Sequence, residues 1–178
     1  MALTHTPAPQ FGAKPYDFKL KGIDDKTYTL KDVTGAKGTL VMFICNHCPY
    51  VKTIISRLVE DAKALQAAGI GVVAIMSNDT AEYPDDSFEN MKKFAQQNGF
   101  TFPYLIDETQ AVAKAYGAVC TPDFFGHNAE GELQFRGRLD EVNPSKPATP
   151  STKKERLMAM LQIAATGKGP DGQIPSMG

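Results

Sequence analysis

Hydrophobic and polar positions along the chain follow three rhythms, and the changes of rhythm mark its elements. Asp17-Phe18-Lys19-Leu20 and Thr27-Tyr28-Thr29-Leu30 alternate polar with apolar and flank the turn-rich stretch Lys21–Lys26. That pattern predicts a β-hairpin. Gly35-Ala36-Lys37-Gly38 supplies a second turn, and Thr39–Ile44 is then a continuous apolar run with β-branched residues. Such a run predicts a strand buried on both faces. Beyond Pro49, Val51, Ile54, Ile55, Leu58, Val59, Ala62 and Leu65 recur at spacings of three and four. They form the apolar face of one helix, which should stop near Gly69. Ile70–Met76 is a second buried strand. Strand, helix and strand make a βαβ unit, whose crossover should be right-handed.

Ser77–Ser87, with Asn78, Asp79, Glu82, Asp85 and Asp86, reads as a solvated acidic loop leading into a helix. Phe88, Met91, Phe94 and Ala95 mark that helix as a core stripe, ending near Asn98-Gly99. Pro103–Ile106 predicts a short strand, and Gln110–Tyr116 a short helix closed by Gly117. Asp107 fits a cap for that helix better than a proton relay. Asp123–Gly126 and Leu133–Arg136 flank the turn Asn128–Gly131 and predict a terminal hairpin. Asn143–Pro150, with Pro144 and Pro147, is a loop. Ser151, with Glu155 a little beyond, resembles an N-cap for a last helix through Leu157, Met160, Leu161 and Ala164. The expected division is a surface arm over residues 1–15, a domain over 16–166, and a flexible glycine-rich tail over 167–178. No repeat or linker splits the chain.

A length of 178 residues suits one domain. An apolar share of 42% with a net charge of −1 excludes disorder along the whole chain. Nineteen basic against 20 acidic residues give no support to nucleic-acid binding. The longest apolar run, Thr39–Cys45, falls far short of the roughly 20 residues of a membrane span. Met1–Pro7 has no basic stretch followed by an apolar core. The expectation is therefore a cytoplasmic chain with neither nucleic-acid nor membrane partners.

Three cysteines are too few for a disulfide scaffold. Cys45 and Cys48 are spaced C-x-x-C, which in an unexported chain suggests a reactive dithiol or half a metal site. Cys48-Pro49 lies where the first buried strand hands over to the long helix. Proline suits the first helical turn, and a cysteine there meets the positive end of the helix dipole, which favours the nucleophilic thiolate. A lone cysteine would more simply be a buried structural residue; the C-x-x-C at this corner turns the balance toward redox chemistry. His47, between the two cysteines, would stabilise a thiolate as an imidazolium, or else be an exposed loop residue. Cys120-Thr121-Pro122 precedes the third long β segment, where a proline often marks a special turn. Cys45, His47, Cys48 and Cys120 also admit a soft-ligand zinc or copper module. Against it, the adjacent His47 and Cys48 rarely reach one metal and there is no second C-x-x-C, so no metal or cofactor is assigned. A purely structural role is the remaining alternative.

Together, the hairpin, the β–C-x-x-C-P–α–β unit, the second helix and Thr-Pro before a final hairpin and helix resemble the thioredoxin fold. Leu40–Lys52, with Cys-Asn-His-Cys-Pro-Tyr at its centre, resembles the peroxiredoxin-like alkyl hydroperoxide reductase/thiol-specific antioxidant family, and the likeness runs from about Phe18 to Ala165. The resemblance implies an α/β thioredoxin-like fold: a mixed central sheet flanked by helices, with an N-terminal hairpin extension. It implies a cis peptide at Thr121-Pro122, with Cys120 near Cys48, and a catalytic set of Cys45, Cys48, Cys120, Thr121 and Pro122. In thioredoxins the first cysteine attacks, which would be Cys45. The family spacing from strand to nucleophile, and the Cys-Pro of peroxiredoxins, favour Cys48 instead, with Cys45 one turn upstream. Peroxiredoxins place a threonine where this chain has Cys45, and an arginine near the position of Thr121. These departures favour thiol-disulfide exchange through a mixed disulfide, with peroxide reduction through a sulfenic acid as the alternative. The implied partners are a protein or small-molecule disulfide, or a hydroperoxide, with an external thiol reductant such as a thioredoxin. Oxidation should join Cys48 to Cys45 rather than to Cys120, since the loop closed is short and the Cα atoms need lie only within about 7 Å.

Overall fold

A computed structural model describes residues 4–142 and 147–177. Met1–Leu3, Gly178 and residues 143–146 of the proline loop lie outside the described residues. The strands are β1 (Lys19–Gly22), β2 (Thr27–Thr29), β3 (Gly38–Phe43), β4 (Ile70–Met76), β5 (Tyr104–Ile106), β6 (Asp123–His127) and β7 (Leu133–Phe135). The helices are α1 (Leu30–Val33), α2 (Pro49–Ala67), α3 (Phe88–Asn98), α4 (Ala111–Tyr116) and α5 (Glu155–Thr166). One sheet runs β2-β1-β5-β4-β3-β6-β7. It is mixed: β3 and β5 lie parallel to β4, whereas β6 is antiparallel to β3 and β1 to β5. The fold is thioredoxin-like, as the motif order implies.

Alternation along β3 explains the two-sided burial. Leu40, Met42 and Ile44 pack with α2, α3 and α5, while Val41 and Phe43 face Val33 of α1 and Val112 and Tyr116 of α4. Successive residues of a strand point to opposite faces, so a strand covered on both sides must be apolar throughout. Gly126 in β6 lets α5 approach closely, since a Cβ there would collide with Met160 Sδ. No described helix is long and apolar enough to cross a membrane.

Two local expectations need correction. Leu30 does not continue the hairpin strand. Thr29 instead caps α1, and its side chain and that of Asp32 form a reciprocal capping box. Ser151 does not cap the last helix. It lies in a turn where its hydroxyl meets that of Thr149, and α5 starts at Glu155, anchored where the Arg156 N–H donates to the Leu139 carbonyl. The buried face of α5 is consequently Arg156, Ala159, Met160 and Ile163, with Leu161 exposed. Described residues of the segment expected as a flexible tail hydrogen-bond to the rest of the chain. Arg138 N–H donates to the Ile174 carbonyl, Gln173 Nε2 to the Gln134 carbonyl, and Thr6 N–H to the Ser176 carbonyl.

Candidate active site

The site is built at the end of β3. Ile44 N–H donates to the Ile75 carbonyl and extends the ladder by one residue. The chain then turns through Cys45, Asn46 and His47 into Cys48, the N-cap of α2, with Pro49 in the first helical turn. The Cys48 sulfur therefore lies at the first turn of α2, whose N–H groups have no partner within the helix. Both Cys45 and Cys48 are buried, and both are free thiols.

From across the sheet, the loop before β6 brings Thr121, joined to Pro122 by a cis peptide bond. The Thr121 hydroxyl lies 3.5 Å from Cys45 Sγ, and Cys48 Sγ lies 3.4 Å from the Thr121 carbonyl oxygen, to which it donates only while it is a thiol. The Cys45 thiol is placed to donate a hydrogen bond to the Cys48 sulfur. That bond is the largest influence holding the Cys48 pKa down at about 5, helped by the Thr121 side chain and the N–H groups of Val51 and Tyr50, and opposed by burial. The same bond pushes Cys45 up, since its proton is the one donated; burial and the Asp86 carboxylate push in the same direction. The two shifts run in opposite directions, Cys48 toward the thiolate and Cys45 toward the thiol. Cys120 is pushed up to about 12, chiefly by burial. It lines the same cavity of about 420 Å³ as Cys45, His47, Cys48 and Thr121, as the resemblance implies. The expected set of Cys45, Cys48, Cys120, Thr121 and Pro122 is therefore gathered at one corner of the sheet.

The acidic loop is not wholly solvated, and the residue sequence reasoning missed is Asp86. It is fully buried in a 3-10 turn over Pro84–Asp86. Its Oδ1 accepts from the N–H groups of Asn46 and His47 at 2.7 and 3.2 Å. Its Oδ2 meets His47 Nδ1 and accepts from Asn78 Nδ2. The His47 ring stacks on Tyr83, with centroids 4.9 Å apart and planes 11° from parallel. Tyr104 donates to Asn46 Oδ1 at 2.8 Å, pinning the loop from below. A buried carboxylate that accepts several N–H bonds fixes the backbone that supplies them. His47 is accordingly neither a plain exposed loop residue nor unpartnered. The only hint in the sequence is Pro84 ahead of Asp85-Asp86, a turn-opening pattern. Asp107, by contrast, caps α4 as expected, accepting from the N–H groups of Val112 and Ala113.

Donor atoms of Cys45, His47 and Asp86 lie within 4.8 Å of one another. Four nitrogen partners already occupy the Asp86 carboxylate, so the trio is closed by hydrogen bonds rather than open to a metal. The soft-ligand set suggested by the sequence differs from this trio by containing Cys48 and Cys120. No arginine lines the cavity among the described residues. Arg136 is buried against Asp123 at 2.8 Å, and Arg138 pairs with Glu155.

The AhpC/TSA family matches residues 11–136. The thiol-disulfide oxidoreductase ResA of Geobacillus thermodenitrificans (strain NG80-2) is 26% identical over 131 residues, spanning 74% of this chain and 71% of that protein. An uncharacterized conserved protein from Geobacillus kaustophilus superposes with a TM-score of 0.92 at 40% identity, covering 99% of this chain and 94% of the other. A hypothetical protein from Sinorhizobium meliloti 1021 gives a TM-score of 0.90 at 34% identity, covering 97% and 94%.

Proposed function

The chain belongs to the AhpC/TSA family, and on that footing we propose that it is a thiol-disulfide oxidoreductase in which Cys48 attacks and Cys45 resolves. The observation that carries this reading is the gathering of both sulfurs on Thr121 at the start of α2, Cys45 Sγ 3.5 Å from its hydroxyl and Cys48 Sγ 3.4 Å from its carbonyl oxygen; beside Cys45 the Cys48 pKa is held down at about 5. At neutral pH Cys48 is a thiolate, the form that attacks a disulfide. Its attack breaks the substrate S–S bond, forms a mixed disulfide, and expels one substrate sulfur as thiolate, which takes a proton from water. Cys45 then attacks Cys48 Sγ, closes the Cys45–Cys48 bridge and releases the second substrate thiol. The substrate disulfide has gained two electrons and the dithiol has lost them. An external dithiol such as a thioredoxin restores the reduced pair. The substrate is a protein or small-molecule disulfide. Exchange is favoured over peroxide reduction because a thiol already lies beside the nucleophile and, among the described residues, no arginine lines the cavity to hold a peroxide.

Trapping the mixed disulfide tests the reading. Cys45→Ser, treated with oxidised glutathione, should accumulate a glutathione adduct on Cys48 in peptide mass spectra, while Cys48→Ser should accumulate none. Adducts of equal yield on Cys45 or Cys120 in the Cys48→Ser protein would remove Cys48 from its role.

A further inference from the structure

Once Cys48 is tied into a mixed disulfide, catalysis depends on Cys45. The thiol of Cys45 is buried and faces the Asp86 carboxylate, and both conditions favour its protonated form. A thiol is a poor nucleophile, so resolution needs a proton acceptor within reach. The structure holds one that the exchange chemistry above leaves unused.

A nitrogen of the His47 ring lies within 4.8 Å of both Cys45 Sγ and an Asp86 oxygen. Nδ1 meets the Asp86 carboxylate. In a neutral ring so bonded, Nδ1 carries the hydrogen and Nε2 keeps a lone pair. The stacked Tyr83 ring holds the imidazole plane. Both His47 and Cys45 line the cavity, which is large enough for one bridging water. A carboxylate that orients an imidazole and stabilises its cation as a proton arrives is the arrangement of hydrolytic triads. Here it is assembled on a loop beside a dithiol.

We propose that His47, oriented by Asp86, is the base that takes the Cys45 proton when Cys45 attacks the mixed disulfide. This rests on the dithiol reading above. In the step, the Cys45–Cys48 S–S bond forms as the Cys48–substrate S–S bond breaks. Cys45 is oxidised and the leaving sulfur is reduced. The Cys45 proton passes to the His47 ring nitrogen that Asp86 leaves free, through the cavity that both residues line, and then to the leaving thiolate. His47 ends neutral and the substrate leaves as a thiol. Asp86 is a positioning residue, acting only through His47. The titratable groups around the imidazole are Asp86, Tyr83, Cys45 and Cys48, with Lys114 and Cys120 also lining the cavity.

The test uses 5,5′-dithiobis(2-nitrobenzoate) in rapid mixing with the reduced full-length protein carrying Cys120→Ser. Attack by Cys48 releases one nitrothiobenzoate, and resolution by Cys45 releases the second. The second rate should rise with pH through an inflection below the ordinary thiol range, which begins at about pH 8. His47→Asn should lower the ratio of second to first rate about a hundredfold at neutral pH and remove that inflection, and Asp86→Asn should displace it. A second rate that titrates only in the ordinary thiol range above about pH 8, or a rate ratio unchanged by His47→Asn, overturns the proposal. The pH profile needs only native His47 and Asp86, so it decides the matter even if a variant fails to fold. Loss of the dithiol reading looks different: the first release would then survive Cys48→Ser.

Discussion

Removing the Cys45 thiol should raise the Cys48 pKa by a calculable amount. Cys48 is held at about 5 against an ordinary thiol value of 9.0. The leading cause is the hydrogen bond from Cys45, followed by the Thr121 side chain and two backbone N–H groups. A hydrogen bond to a charged acceptor is worth about 1.5–3 kcal/mol. At about 1.4 kcal/mol per pKa unit, that is roughly one to two units. Cys45→Ala should therefore bring Cys48 to about 6–7, with the remaining depression supplied by Thr121 and the start of α2. Cys45→Ser keeps a hydroxyl donor in nearly the same place and should stay within about one unit of the parent. The assay is thiolate absorbance at 240 nm against pH in a Cys120→Ser background, checked by the pH dependence of iodoacetamide alkylation. Cys48 unmoved at about 5 in Cys45→Ala would show that the paired thiol contributes nothing. A return to the ordinary thiol value would show that Thr121 and the helix N-terminus contribute nothing. Either result refutes a thiolate held jointly by its paired thiol, Thr121 and the first turn of α2.

Asp86→Ala leaves four nitrogen partners of its carboxylate in want of an acceptor, and should cost about 2–4 kcal/mol in urea unfolding. Arg136→Met strands the buried Asp123 carboxylate and should cost about 3–5 kcal/mol, while the double variant Arg136→Met/Asp123→Leu should recover most of it; a double-mutant cycle reads both. Burial lowers the His127 pKa to about 4 from 6.5. The unfolded chain then binds the extra proton first, so stability should be lost as pH falls from about 6.5 to 4, by up to about 3 kcal/mol. His127→Phe should flatten that part of the curve in denaturant titrations at stepped pH; an unchanged slope would place the acid sensitivity elsewhere.

The fold was legible because its central strands and longest helix bury faces whose periods differ. The uniformly apolar 39–44 and 70–76 and the three-four spacing from Val51 to Leu65 admit few other readings. The start of α5 was not legible. Arg156 is wholly buried, with its guanidinium over the Phe124 ring, so the buried stripe includes a residue that any polarity rule assigns to the surface. Cys45, Cys48 and the Thr121-Pro122 loop could be named from spacing and resemblance, since local chain geometry sets most of their placement. Asp86 could not. It lies 39 residues from His47 in sequence, in a run of acidic residues of which the others are at most half-buried. Only the three-dimensional path of the loop after β4 singles it out from its neighbour Asp85.

The central claim is that Cys45 and Cys48 form the working redox couple, and its most direct test is a disulfide map. Reduced protein treated with one equivalent of diamide, alkylated and digested, should yield the Cys45–Cys48 bridge as the dominant cross-link in peptide mass spectra, with Cys120 alkylated. A dominant Cys48–Cys120 bridge would contradict the claim. So would a stable sulfenic or sulfinic acid on Cys48 under mild peroxide with no bridge, which would instead identify a one-cysteine peroxidase resolved by an outside thiol.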